Sequence, residues 1–359
     1  MKFAHFSHVW NRPGMTAAQR YELLWRELEL CDELGYDYGF AVEHHFSPEE
    51  SWMASPAIYC AGAAQHTKRM RIGPMGYIVA LYDPLRIVEE AAMLDNVLNG
   101  RLELGLVSGI LPKFFRPYKA DFQNRRILTE EALALVQTAF TSDGSFDFSG
   151  PVHSYEAVSL SVKPLQKPYP PIWIQSRDLE TLRLLAEQGV HTGSLFFMPR
   201  QEVAPRYRQY LEWWAETKHP YQPNIGYWSL VYVDETDEKA RAEATQHVIH
   251  AFTKVFGFGD GGGVSYLELA KNFEKRGELG AAEIARNVAD IDFLMDRKLM
   301  FIGSPDTVIQ QIREAATEGL FNTLMCEFNI GFLAEDKLIR SIELFAREVM
   351  PALRDFEPC

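Results

Sequence analysis

The sequence predicts an α/β fold, a (β/α)8 barrel in which parallel strands close on themselves inside a ring of helices. Short runs rich in β-branched and aromatic residues alternate with longer helix-period segments along the whole chain, the pattern of consecutive βαβ units. Eight such runs stand out, at residues 2–9, 36–43, 70–79, 101–107, 171–175, 190–197, 224–233 and 323–328. That number favours a closed barrel over an open sheet. The 359 residues are 47% hydrophobic and 24% charged, an ordinary globular composition, and α/β barrels of this length are routinely one domain, here residues 1–359.

The helices between the runs carry start and stop signals. Thr16 with Gln19 makes a capping box, Tyr21, Leu24, Leu28 and Cys31 recur at helical spacing, and Gly35 stands where a C-terminal glycine belongs. Asp83 before Pro84, and Ser304 before Pro305, are N-cap and first-turn proline pairs, closed by Gly100 and Gly319. Leu338, Ile342, Phe345 and Val349 form a last apolar stripe.

Two stretches interrupt the alternation. Residues 146–170, rich in Ser, Tyr and Pro, read as an extension before the fifth strand. Residues 257–297 form an insertion between the seventh and eighth strands, and their glycine run at 257–263 points to a hinge leading into a lid. Gly257, Gly259 and Gly262 also fit a dinucleotide fingerprint. That motif must follow a strand, however, and a helical segment precedes this one.

Charge and cysteine usage narrow the function. Thirty-six Lys and Arg against 49 Asp and Glu leave a formal charge of -13, a field that repels nucleic acid and anionic lipid. Cys31, Cys60, Cys326 and Cys359 lie singly, with no metal or disulfide spacing, as expected of a cytoplasmic protein. The N-terminus has no signal-peptide core, and no apolar run reaches membrane-spanning length.

Chemistry concentrates at Glu43, His44 and His45, a polar cluster closing an apolar strand. In a parallel barrel the carboxyl ends of the strands face the active site. A pair of structural histidines at the barrel rim is the plainer alternative. Metal binding is not expected, because neighbouring strand residues point to opposite faces and no third ligand has a suitable spacing. His247 and His250 read as part of an exposed helix.

Glu43-His44-His45-Phe46, Ser55-Pro56, Arg71-Ile72-Gly73, Asp83-Pro84-Leu85-Arg86, Leu94-Asp95 and Asn99-Gly100-Arg101 follow one another in an order that resembles the bacterial-luciferase-like flavin monooxygenases. The block Phe301-Ile302-Gly303-Ser304-Pro305-Asp306-Thr307-Val308 is similar to that of the diketocamphane monooxygenases. The resemblance implies FMN across the carboxyl-end mouth, with a cis peptide at Met75-Gly76 under its ring. It places Ser108 and Gly109 after the fourth strand, and Gln175, Ser176, Arg177 and Thr181 after the fifth, around the ring and phosphate. Ser108 stands where the family has a phosphate-gripping arginine, so Arg177 is the candidate replacement.

The implied reaction takes FMNH2 from a separate flavin reductase and uses O2, through a C4a-hydroperoxyflavin, to oxygenate a small hydrophobic aldehyde or ketone. His44 would manage the proton, with Glu43 or His45 assisting, while Phe6, His8, Trp10, Phe196 and Phe197 line the substrate pocket. A homodimer is implied through the helices at residues 56–65 and 84–98. A deazaflavin-dependent oxidoreductase and a non-catalytic flavin-binding protein are the alternatives.

Overall fold

In the computed structural model, residues 1–255 and 266–358 are described. The strands are β1 Lys2–Ser7, β2 Tyr38–Ala41, β3 Arg71–Pro74, β4 Tyr77–Ile78, β5 Leu104–Val107, β6 Phe146–Ser149, β7 Ser154–Val158, β8 Ile172–Trp173, β9 Thr192–Leu195, β10 Ile225–Val233, β11 Phe301–Gly303 and β12 Thr323–Glu327. The barrel runs β12-β1-β2-β3 on one side and β9-β10-β12 on the other, every pair parallel. Single bridges, Ile72 with Leu102 and Trp173 with His191, join the short β5-β8 pair to its neighbours and close the ring.

The third predicted strand is broken in two. β3 stops at Pro74, Met75-Gly76 forms a non-prolyl cis peptide, and β4 resumes against β5. Glycine governs this seam. A Cβ on Gly73 would lie 2.0 Å from the Glu103 carbonyl oxygen, one on Gly105 2.1 Å from that of Pro74, and one on Gly76 2.4 Å from the Gly105 carbonyl carbon. Side chains larger than hydrogen are therefore excluded where these backbones touch.

Helices cover the outside: α1 Ala17–Leu34, α2 Pro56–His66, α3 Pro84–Val97, α4 Pro112–Phe115, α5 Arg125–Thr141, α6 Leu179–Glu187, α7 Arg200–Thr217 and α8 Asp237–His250. The expected caps form at the first of them. Thr16 and Gln19 make both capping-box bonds, and Gly35 takes the left-handed conformation at φ 85°. Asp83 accepts from the Leu85 N–H at the start of α3.

The remaining helices are α9 Tyr266–Lys275, α10 Leu279–Arg286, α11 Ile291–Asp296, α12 Pro305–Gly319, α13 Glu335–Leu344 and α14 Met350–Leu353. Gly319 departs from its predicted role: it ends α12 within the helix, and Leu320 takes the left-handed position. Its glycine serves packing instead, since a Cβ there would press on the Arg200 side chain at 3.0 Å.

Residues 146–170 contain the β6-β7 antiparallel hairpin. Of the predicted insertion, helices α9 to α11 are described and the glycine run at 257–263 lies outside the described residues. β11 was not anticipated; it pairs with the far end of β10, Val231 opposite Phe301. Leu338, Ile342, Phe345 and Val349 are all fully buried. Cys31, Cys60 and Cys326 are buried free thiols. Among the described residues no helix is long and apolar enough to cross a membrane.

Candidate active site

β2 ends at Ala41, so Glu43, His44 and His45 lie in irregular backbone just past the carboxyl end of the sheet. Val42 N–H donates to the Ser7 carbonyl at 3.2 Å and His44 N–H to that of Met53 at 2.8 Å, which fixes this exit. The three side chains then divide. Glu43 is buried and accepts from Ile78 N–H at 2.6 Å, the Tyr82 hydroxyl at 2.6 Å and His45 Nε2 at 2.9 Å. It ties the end of β2 to β4 and spends its acceptors there. His45 is buried with it, its Nδ1 3.4 Å from the Tyr118 hydroxyl.

His44 turns the other way. Its Nδ1 lies 2.8 Å from Glu50 Oε1, and its ring packs edge-on to His8 at 5.2 Å and tilted against Phe114 at 5.1 Å. The His44 side chain is 18% exposed while that of Glu50 is 3% exposed, so the carboxylate anchors the ring from within. Burial opposes ionisation of Glu50, but His44, then His8 and Lys113, outweigh it and hold the carboxyl down to about 2.

His8 follows β1 and is held by Glu327, the last residue of β12: Nδ1 lies 2.6 Å from one carboxylate oxygen and the His8 N–H donates to the other at 3.2 Å. Neither Glu50 nor Glu327 was singled out in the sequence. Glu327 offered the same signal as Glu43, a carboxylate closing an apolar strand; Glu50 offered none, since its loop is polar throughout. His8, His44 and Glu50 converge without His45, a grouping that no local spacing in the sequence could show.

Phe6, His8, Trp10, Phe196 and Phe197 form one aromatic wall, joined by a residue the sequence reading missed, Trp228 of β10. Its ring lies 5.9 Å from Phe6, 5.1 Å from His8 and 5.2 Å from Phe196. Phe197 lies tilted against Phe196 at 4.3 Å and stacks on Tyr266 of α9 at 6.0 Å, which links the wall to the insertion.

The positions assigned to the flavin all follow carboxyl ends of barrel strands. Met75 N–H donates to the Ala41 carbonyl at 2.7 Å. Gly109 takes φ 74°, and its carbonyl accepts from Arg125 at 3.2 Å, so a guanidinium does stand at the loop where Ser108 replaces the expected arginine. Arg125 lies 16 residues beyond Gly109 and had no local signal. Gln175, Ser176 and Arg177 are half-buried after β8.

Two of these assignments meet competing partners. Thr181 gives both its N–H and its hydroxyl to Asp178, at 3.0 and 3.2 Å, because an aspartate at the N-cap of α6 takes the first-turn donors. That carboxylate also sets a negative charge where the phosphate was expected. Arg177 reaches Glu278, at 2.9 and 3.1 Å, on the described part of the insertion. His247, expected on an exposed helix, is buried against Phe332 at 4.3 Å. Two surface clefts, of about 680 and 380 Å3, lie elsewhere, along α13 and at the amino ends of β1 to β3.

A closed parallel barrel with its polar cluster at the carboxyl ends of the strands has the layout of a barrel enzyme. The sequence profile of the luciferase-like monooxygenases matches residues 1–322, and the chain belongs to that family of flavin-dependent oxidoreductases. It is 25% identical to the alkanal monooxygenase alpha chain of Photobacterium leiognathi, over 99% of both chains. Among solved structures it is similar to the oxygenating constituent of 3,6-diketocamphane monooxygenase of Pseudomonas putida, a type II Baeyer-Villiger monooxygenase in complex with FMN, with TM-score 0.78, 21% identity and 98% of each chain covered. An F420-dependent secondary alcohol dehydrogenase also shares the fold, with TM-score 0.68, 15% identity and 99% of each chain covered.

Proposed function

We propose that this chain is a two-component monooxygenase, taking reduced FMN from a separate reductase and using O2 to oxygenate a small hydrophobic aldehyde or ketone. The observation that carries the reading is His44, a partly exposed imidazole anchored on a buried carboxylate at the carboxyl-end mouth, backed by an aromatic wall. Within the reading, residues 1–359 act as one cytoplasmic barrel domain, with 257–297 as its lid.

The residues present suit FMN. Met75 and Gly76 offer an apolar shelf for the ring, and Ser108, Gly109, Gln175, Ser176 and Arg177 offer hydroxyl, amide, backbone and guanidinium groups for its polar edge and phosphate. Arg177 would reach a phosphate by giving up Glu278 in exchange for it. Reduced flavin supplies the electrons that activate oxygen. The protein's part is to orient, to exclude water and to handle a proton. Phe6, Trp10, Phe196, Phe197 and Trp228 keep the mouth dry. His44, with Nδ1 engaged by Glu50, exchanges a proton through Nε2. Glu43 and His45 position that segment by locking it to β4 and Tyr118.

A homodimer through residues 56–65 and 84–98 accords with the exposure of Ile58, Met93 and Val97 on α2 and α3. The reading is tested by supplying FMNH2, 18O2 and a panel of aldehydes and ketones, then weighing the products. One labelled oxygen atom in a product is the expected result. Substrate turnover with reduced F420 and no oxygen uptake overturns it in favour of the deazaflavin reading.

A further inference from the structure

We propose that His8, His44 and Glu50 form a binding site for a divalent transition-metal ion of the zinc class, and that the bound ion holds the chain inactive. Three features of the mouth lead there. One ligand atom from each of the three residues lies within 4.8 Å of the others, and among the described residues no second group of three metal-type side chains comes this close. The donors come from separate segments, the exits of β1 and β2 and the loop at residues 47–51, so the folded barrel rather than a local motif assembles them. Glu50 is 2% exposed, and its Oε2 is buried with no hydrogen-bond partner, a costly state for a carboxylate oxygen that a cation would relieve.

The donor chemistry selects the ion. Two imidazoles and one carboxylate are the set that holds zinc with a coordination position left open, at bond lengths of about 2.0–2.2 Å. Tetrahedral donors at such lengths stand roughly 3.3 Å apart. Separations of 4.8 Å or less leave a gap that side-chain rotation is able to span. Glu327 on His8 Nδ1 is the kind of outer carboxylate that typically orients a ligating histidine. Two other close histidine–glutamate pairs, the exposed His66 with Glu29 and His153 with the buried Glu131, belong to no such triad.

Binding in this way claims the His44 imidazole, so proton exchange there stops while the ion is bound. The inactivation rests on the reading of His44 given above; the binding does not.

The test uses the full chain, freed of metal by chelation and titrated with Zn2+ by calorimetry and with Co2+ by visible absorption. One tight site per chain is expected, with the intense visible bands of tetrahedral Co2+. Glu50→Gln, which keeps the shape of the side chain, and His8→Gln should each weaken Zn2+ at least tenfold, with folding checked by circular dichroism. His66→Ala should bind as the parent does. Absence of a tight site, or equal affinity in the parent and both site variants, overturns the proposal. Unchanged product formation from FMNH2 and O2 at saturating Zn2+ overturns the inactivation alone. A chain that yields no product under any condition refutes the monooxygenase reading and leaves the metal titration to decide the site by itself.

Discussion

Replacing His44 by alanine removes two things at once, the imidazole facing the mouth and the partner of a buried carboxylate. The second has a cost that can be worked out. Glu50 is held at about 2 against an ordinary 4.5, which corresponds to about 3 kcal/mol of favourable interaction at neutral pH. His44 contributes most of it and His8 and Lys113 remain, so His44→Ala should lower stability by roughly 1–2 kcal/mol. Product formation should fall by about 10²–10⁴-fold, the usual worth of general acid–base catalysis. Stability and turnover are separated by the double variant His44→Ala/Glu50→Gln, in which no charge is stranded. It should regain most of the lost stability and none of the lost turnover. Urea unfolding followed by tryptophan fluorescence, FMN titration and product yield per folded chain measure the three quantities. A double variant that recovers both stability and turnover would falsify the proton-exchange role and leave His44 as a structural partner of Glu50.

Three further outcomes are expected. Arg177→Ala should weaken FMN by about tenfold and riboflavin hardly at all, while Glu278→Gln, which releases Arg177, should tighten FMN; equal changes for both ligands in a fluorescence titration would remove Arg177 from the phosphate. Burial, with Lys2 and Arg71 nearby, lowers the His191 imidazole to about 3, so its stabilising effect is complete above pH 6.5 and is lost progressively as the pH falls towards 3. Between pH 7 and 4.5 this amounts to about 3 kcal/mol, and His191→Gln should flatten the urea midpoint over that range; an unaltered slope counts against it. Gly76→Ala should destabilise by about 3 kcal/mol or more, because its Cβ meets the Gly105 backbone, whereas Gly144→Ala, with open space around it, should not; similar melting temperatures for the two would contradict the seam.

The barrel was legible because each of its strands is announced by composition and some of the flanking helices, α1 and α3 among them, by their caps. All eight predicted runs contain a barrel strand, with ends that coincide or are trimmed by up to three residues. What escaped was set by contacts distant in sequence. β11 is three residues long and exists through its pairing with β10. The break in the third strand follows from backbone contact with β5, which no local pattern records. The site was legible to the same degree. His44 stood out on its strand end, and Phe6, His8, Phe196 and Phe197 did so likewise, but Glu50 and Trp228 matter only through what the fold sets beside them. Arg177 and Thr181 show the converse limit: their chemistry was evident, whereas the neighbouring carboxylates that engage them were not.

The pairing of β11 with the far end of β10 has a bearing on how such a chain changes over evolution. Val231 and Phe301 are direct neighbours across a parallel ladder, and Asp234 N–H donates to the Gly303 carbonyl at 3.2 Å, so the long excursion from residue 234 to 300 leaves and re-enters the barrel at one spot. A segment whose two ends are stapled side by side can be lengthened, shortened or exchanged with little demand on the rest of the sheet. The part of the chain that carries Tyr266 to Phe197 and Glu278 to Arg177 is in that sense modular: its own folding asks for one local anchorage, while the strands of the barrel are held by their pairing with one another.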